Sequence, residues 1–139
     1  MTPITLHATT VAVQGRGLLI IGPSGSGKSS LALQLIALGA SLLADDRTDL
    51  HHDGTRLLAR CPDALHGMIE ARGVGIPHLP FVTEAPVCLV ADLAQTETER
   101  LPPHRSIDIL ATPIELVLGA QSPHFAAALL CYLRFGRLA

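Results

Sequence analysis

The 139-residue chain has no tryptophan and only four aromatic side chains, three Phe and one Tyr. Nucleic-acid surfaces need aromatic faces to stack on bases and excess positive charge to displace phosphate counterions. Ten basic side chains against twelve acidic ones give a formal net charge of −2, so neither is supplied, and nucleic acid is not an expected partner. Cysteine is equally sparse. Cys61, Cys88 and Cys131 are odd in number and far apart, which argues against a zinc knuckle or a disulfide framework and for buried thiols in a reducing cytosol. No apolar run approaches the roughly 18 residues of a membrane span. No Lys or Arg precedes Arg16, so the N-terminus lacks the charge of a signal peptide. The expectation is a cytoplasmic protein with no membrane partner.

What is present is apolar: 48% of residues are hydrophobic and 16% charged. A chain of this length suits one domain, residues 1–139, with a generous interior and apolar surface to spare for a subunit interface. Strand-like runs cover 11–14 and 18–21, with Gly15 and Gly17 around Arg16 making the turn between them. The Leu- and Ala-rich "SLALQLIALG" predicts a mostly buried helix capped at Gly39. "SLLADD" predicts a short strand ending at Asp45 and Asp46, and Asp53-Gly54 a hairpin turn. A further strand is expected over 68–71, a loop through "RGVGIPHLPF", and a buried strand from Val87. A closing helix is expected with Ser122 as its cap, Pro123 in its first turn and Gly136 at its end.

The strand over 18–21 runs directly into "GPSGSGKS", which satisfies the phosphate-loop pattern G-x-x-x-x-G-K-[ST]. Glycines at 22, 25 and 27 let successive backbone N–H groups turn inward onto a polyphosphate at the start of a helix. Gly22, Pro23, Ser24, Gly25, Ser26, Gly27, Lys28 and Ser29 form the expected nucleotide cradle, Lys28 adding a full charge and Ser29 a hydroxyl for magnesium. The competing reading, a glycine turn that only joins strand to helix, does not explain the Lys-Ser pair. The loop leaves the reaction open, because ATPases, GTPases and small-molecule kinases share it. Taken alone, the Asp45-Asp46 pair reads as a solvated acidic turn, "EARG" equally as a surface ion pair or as a metal ligand and phosphoryl-binding arginine, and His7 as a structural histidine. Asp92, closing "VCLVAD", imitates the apolar strand plus aspartate that holds magnesium in many phosphate-loop enzymes, which makes it the rival of Asp45.

Three spaced segments, His7 upstream of the loop, "GASLLADDRTD" after its helix and "IEARGVGIPHL" beyond, together resemble the catalytic domain of the HPr kinase/phosphorylase family. The resemblance runs from about His7 to Arg100, without the family's separate N-terminal domain. It implies an α/β phosphate-loop fold like that of phosphoenolpyruvate carboxykinase, a mixed sheet with few helices. It implies an ATP- and Mg²⁺-dependent protein-serine kinase acting on HPr, the phosphocarrier of the sugar phosphotransferase system. It also implies a homo-oligomer, a hexamer being among the states it allows. Carried onto this sequence, the catalytic positions are His7, Lys28, Asp46 as base, Arg72 and Arg100, and the metal positions are Ser29, Asp45 and Glu70. The family's late basic stretch is replaced here by "TPIELVLGAQSPHF", which carries no Lys or Arg, so kinase activity is expected to exceed phosphorolysis. A small-molecule kinase and a non-catalytic nucleotide sensor are the alternatives.

Overall fold

A computed structural model of the chain describes residues 2–62 and 66–139. Among these the order is β1 (Ile4–Leu6), β2 (Thr9–Val13), β3 (Arg16–Ile21), α1 (Lys28–Ala37), β4 (Ser41–Ala44), β5 (Thr48–His52), β6 (Leu57–Arg60), β7 (Glu84–Thr96), β8 (Arg105–Ile109), β9 (Thr112–Gly119) and α2 (Phe125–Phe135). The expected α/β class holds: a mixed sheet with two helices among the described residues.

The turn between β2 and β3 falls at Gln14-Gly15, both at positive φ (52° and 72°), not around Arg16. Two left-handed residues match the right-handed twist of a tight hairpin, so Arg16 and Gly17 are free to join β3. Gly17 has its own constraint: a Cβ there would sit 2.7 Å from the Pro86 carbonyl oxygen of β7. β2 is flanked by β3 and β4, both antiparallel to it, and β3 runs parallel to β7. β7, thirteen residues long, serves two neighbourhoods. Its first residues pair with β6, joining the β1-β5-β6 hairpin layer, and its remainder lies parallel to β3 and β9.

Apolar residues cover both faces of the central strands, which is why β3 reads as an unbroken run rather than an alternation. Leu18 and Ile20 pack toward α1 and α2 with Leu31, Leu35, Leu129 and Leu133. Leu19 faces the opposite cluster with Leu43, Leu50, Val90 and Ile114. α1 buries a single stripe (Lys28, Leu31, Ala32, Leu35 and Ile36) and leaves Leu38 half exposed, so it is less enclosed than its composition suggests. It closes with Ala40 N–H on Leu35 O and Gly39 N–H on Ile36 O, Gly39 taking φ 118°, as expected of a glycine-capped helix.

The strand expected over 68–71 is not formed. Ile69 is buried as an anchor in the helix-side core, and Ala71 and Gly75 exchange backbone bonds around a tight turn. The outer edge of β4 is taken by Pro80 and Val82, each bonded to Leu42. In α2 the residue at the cap position is His124. Ser122 lies two residues earlier, its hydroxyl accepting from His124 N–H and bonded to the His124 ring.

Candidate active site

The loop follows β3 and ends in α1, whose N-cap, Gly27, is left-handed (φ 98°, ψ 20°) and lends no side chain to the first-turn N–H groups. No acidic residue occupies that turn. The open donors and the positive end of the helix dipole are therefore left for an anion. Ser26 N–H closes the loop on Pro23 O at 3.1 Å. Ser26 Oγ is buried without a hydrogen-bond partner among the described residues, and a Cβ on Gly22 (φ 149°) would come within 2.6 Å of it. Lys28 is almost fully buried, and its ammonium donates to Gly22 O at 2.8 Å and Pro23 O at 3.0 Å. These are carbonyl bonds that phosphate oxygens can replace.

Asp45 and Asp46 follow directly on β4, and the backbone separates them. Asp46 adopts φ 68°, so the two carboxylates take different partners. Asp45 Oδ1 accepts from Ser29 Oγ at 2.7 Å and from Thr9 Oγ1 at 3.0 Å. Asp46, largely exposed, is hydrogen-bonded through its carboxylate to His7 Nε2, and its backbone N–H donates to Thr9 Oγ1 at 3.2 Å. The last loop residue, both aspartates and His7 thus form one hydrogen-bonded cluster. An exposed His–Asp pair adds little to stability. What it fixes is where the carboxylate stands.

Asp92 lies across from Ile21 at the end of the parallel β3–β7 pairing, as its sequence context suggested. Its carboxylate is already engaged: Oδ1 accepts from Ala94 N–H at 2.9 Å and Oδ2 from Gln95 Nε2 at 3.0 Å, at a bulge in β7. Ser29 bonds Asp45 instead. Glu70 and Arg72 are exposed on the 66–81 loop, and neither side chain has a hydrogen-bond or ion-pair partner among the described residues. Arg100 is exposed beyond β7 and lines a cavity of about 250 Å³ with Pro102, Tyr132 and Arg137. The structure therefore joins Ser29, Asp45, Asp46 and His7 through Thr9, holds the Lys28 ammonium on the loop carbonyls of Gly22 and Pro23, and gives Glu70, Arg72 and Arg100 no hydrogen bond to that cluster among the described residues.

Sequence reasoning missed Thr9, whose link to Asp45 spans 36 residues and carries no motif. It also missed a cavity of about 290 Å³ against the loop, lined by Ser26, Gly27, Ser30, Gln34, Gly119 and Phe125 among others. Roomier hollows lie beside Gln14 and Leu38 and beside Thr5 and His52, and neither includes a loop residue. The donor set suits a hard cation. Ser29 Oγ and the Asp45 carboxylate are oxygen donors that could hold one, and Asp45 Oδ2 has no protein donor among the described residues. No group of three His, Cys, Asp or Glu side chains able to hold a metal occurs among the described residues.

The site thus sets a helix N-terminus opened by a glycine loop, with a carboxylate bonded to the loop's own serine, in an α/β fold, an arrangement whose open donors suit a phosphate. The model of the HPr serine kinase C-terminal domain matches residues 1–81, and the chain belongs to that family. Among its relatives, the HPr kinase/phosphorylase of Aromatoleum aromaticum is 38% identical over 125 residues, 80% of this chain and 40% of that protein. The HPr kinase/phosphorylase of Cupriavidus necator is 35% identical over 126 residues, 82% of this chain and 39% of its own length. The chain thus spans about 40% of the length of the curated relatives it matches. A solved structure, that of the Hpr(Ser) kinase/phosphatase from Coxiella burnetii, superposes with a TM-score of 0.79 at 27% identity, covering 97% of this chain and 91% of that one. Among the described residues no helix is long and apolar enough to cross a membrane.

Proposed function

We propose that this protein is an ATP- and Mg²⁺-dependent protein-serine kinase whose acceptor is HPr. The observation that carries the reading is the Ser29–Asp45 hydrogen bond beside the His7–Asp46 pair, which sets one carboxylate against the nucleotide loop and leaves a second exposed to an incoming hydroxyl. In this reading the loop amides and Lys28 hold the β- and γ-phosphates, Lys28 exchanging its bonds to Gly22 O and Pro23 O for phosphate oxygens. Ser29 and Asp45 are the residues that would hold magnesium, which when bound neutralises charge on the transferring group. The acceptor serine oxygen forms its bond to the γ-phosphorus as the bond to the ADP oxygen breaks, and the serine proton passes to Asp46. His7, bonded to Asp46, keeps that carboxylate turned outward.

The roles of Glu70 as a further metal ligand, and of Arg72 and Arg100 as cationic groups on the transferring phosphoryl, rest on the family resemblance. So do the assignment of residues 1–139 to one catalytic domain, a cytoplasmic setting and a homo-oligomeric, hexamer-compatible assembly. Residues 112–125, which form β9 and the approach to α2, carry no Lys or Arg, which supports weak phosphorolysis.

The test is transfer of label from γ-radiolabelled ATP to purified HPr, with Lys28→Ala as control and small hydroxylated metabolites as competing acceptors. Labelled phosphoserine on HPr, lost in the control, is the expected result. Label appearing only on a metabolite would replace this reading with a small-molecule kinase. Incubation of serine-phosphorylated HPr with inorganic phosphate should release pyrophosphate far more slowly than the forward reaction proceeds.

A further inference from the structure

We propose that Thr9 is a positioning residue that sets both members of the acidic pair against the phosphate loop; this rests on the kinase reading above. Thr9 opens β2, is fully buried, and lies opposite Ile20 of the loop-bearing strand. Its hydroxyl donates to Asp45 Oδ1 at 3.0 Å and accepts the Asp46 N–H at 3.2 Å. Among the described residues no other side chain bonds both aspartates. A threonine hydroxyl has one proton, so the bond to Asp45 fixes its rotor and turns a lone pair toward Asp46 N–H.

The topology explains why such a link is needed. β2 lies between β3, which delivers the loop, and β4, which delivers the aspartates, so those two strands do not pair. The neighbouring Thr10 bonds Thr48 Oγ1, which donates to Ala8 O, a separate buried pair that ties β5 to β2. Adjacent strand residues point to opposite faces, and the two threonines divide the work accordingly. Thr9 serves the site, and Thr10 joins the strands.

A buried hydroxyl that only needs satisfying would do with one partner and would affect stability alone. Thr9→Val keeps the shape and removes the hydroxyl. The probe is a fluorescent ATP analogue, titrated with and without Mg²⁺. Loss of an outer-shell partner typically costs roughly 10–100-fold in metal affinity or activity. Thr9→Val is expected to weaken the Mg²⁺-dependent part of nucleotide binding by about that factor, leaving metal-free binding unchanged. It should lower kcat for HPr phosphorylation without raising KM for HPr, and Thr9→Ser should restore both. Thr9→Cys, with a weak S–H donor of similar size, should fall between them and serves if the valine variant does not fold. An unchanged Mg²⁺ response in Thr9→Val or Thr9→Cys, or equal loss of metal-free binding, would overturn the assignment. Failure of the wild-type chain to label HPr would count against the kinase reading and leave the nucleotide readout intact.

Discussion

Replacing Asp45 by Asn, with Asp92→Asn in parallel, decides which aspartate stands on the metal side of the loop. In Asp45→Asn the amide keeps an oxygen that accepts from both Ser29 and Thr9, so the fold and metal-free nucleotide binding should persist. What disappears is one negative charge beside the cation. At an effective dielectric near 20, a unit negative charge about 4 Å away interacts by about 4 kcal/mol with each unit of the cation's double charge. Hydration offsets part of that, leaving about 2–3 kcal/mol, or about 30–150-fold in Mg²⁺-dependent affinity. In Asp92→Asn the amide oxygen still accepts from Ala94 N–H, while the acceptor for Gln95 Nε2 is lost. The expected cost there is about 0.5–1.5 kcal/mol of stability with the Mg²⁺ response intact. Titrating a fluorescent ATP analogue with Mg²⁺ and following thermal unfolding separate the two outcomes. If Asp92→Asn loses the metal response while Asp45→Asn retains it, the reasoning from hydrogen-bond partners fails.

Two further predictions concern stability. Leu35→Ala, at a fully buried position between α1 and the sheet, should destabilise the protein by about 2–5 kcal/mol in denaturant unfolding, with no change in the slope of the transition. Asp53 sits in the β5–β6 turn, where the backbone N–H of Arg56, then the N–H and hydroxyl of Thr55, lower its carboxyl from 3.8 to about 2. A depressed carboxyl pKa contributes stability that is fully present above the unfolded value and is lost as pH falls through the folded one. Unfolding midpoints should therefore decline between about pH 4 and pH 2, and Asp53→Ala should flatten that decline; an unchanged slope would show that the turn does not hold the charge.

Local chemistry made much of this protein readable before any strand was paired. The phosphate loop, α1 with its Gly39 cap, the hairpin at Asp53-Gly54 and α2 all follow from residues close together in the chain, because capping, turns and helical periodicity are short-range. The turn at Gln14-Gly15 departs from expectation through the β2–β3 register, and residues 68–71 do so because Ala71 closes a tight turn with Gly75 and Ile69 anchors in the helix-side core instead of lying in the sheet. The order of residues along the chain was enough to specify the glycine-rich loop between β3 and α1, and it offered two acidic candidates, Asp45 by resemblance and Asp92 by its strand-plus-aspartate context. Strand pairing separates their surroundings: with β2 paired to both β3 and β4, Asp45 meets Ser29 and Thr9, while Asp92 accepts from Ala94 and Gln95 at its own bulge. A carboxylate's chemistry depends on which donors reach its oxygens, and donors 16 and 36 residues away are set by strand pairing rather than by neighbours in sequence.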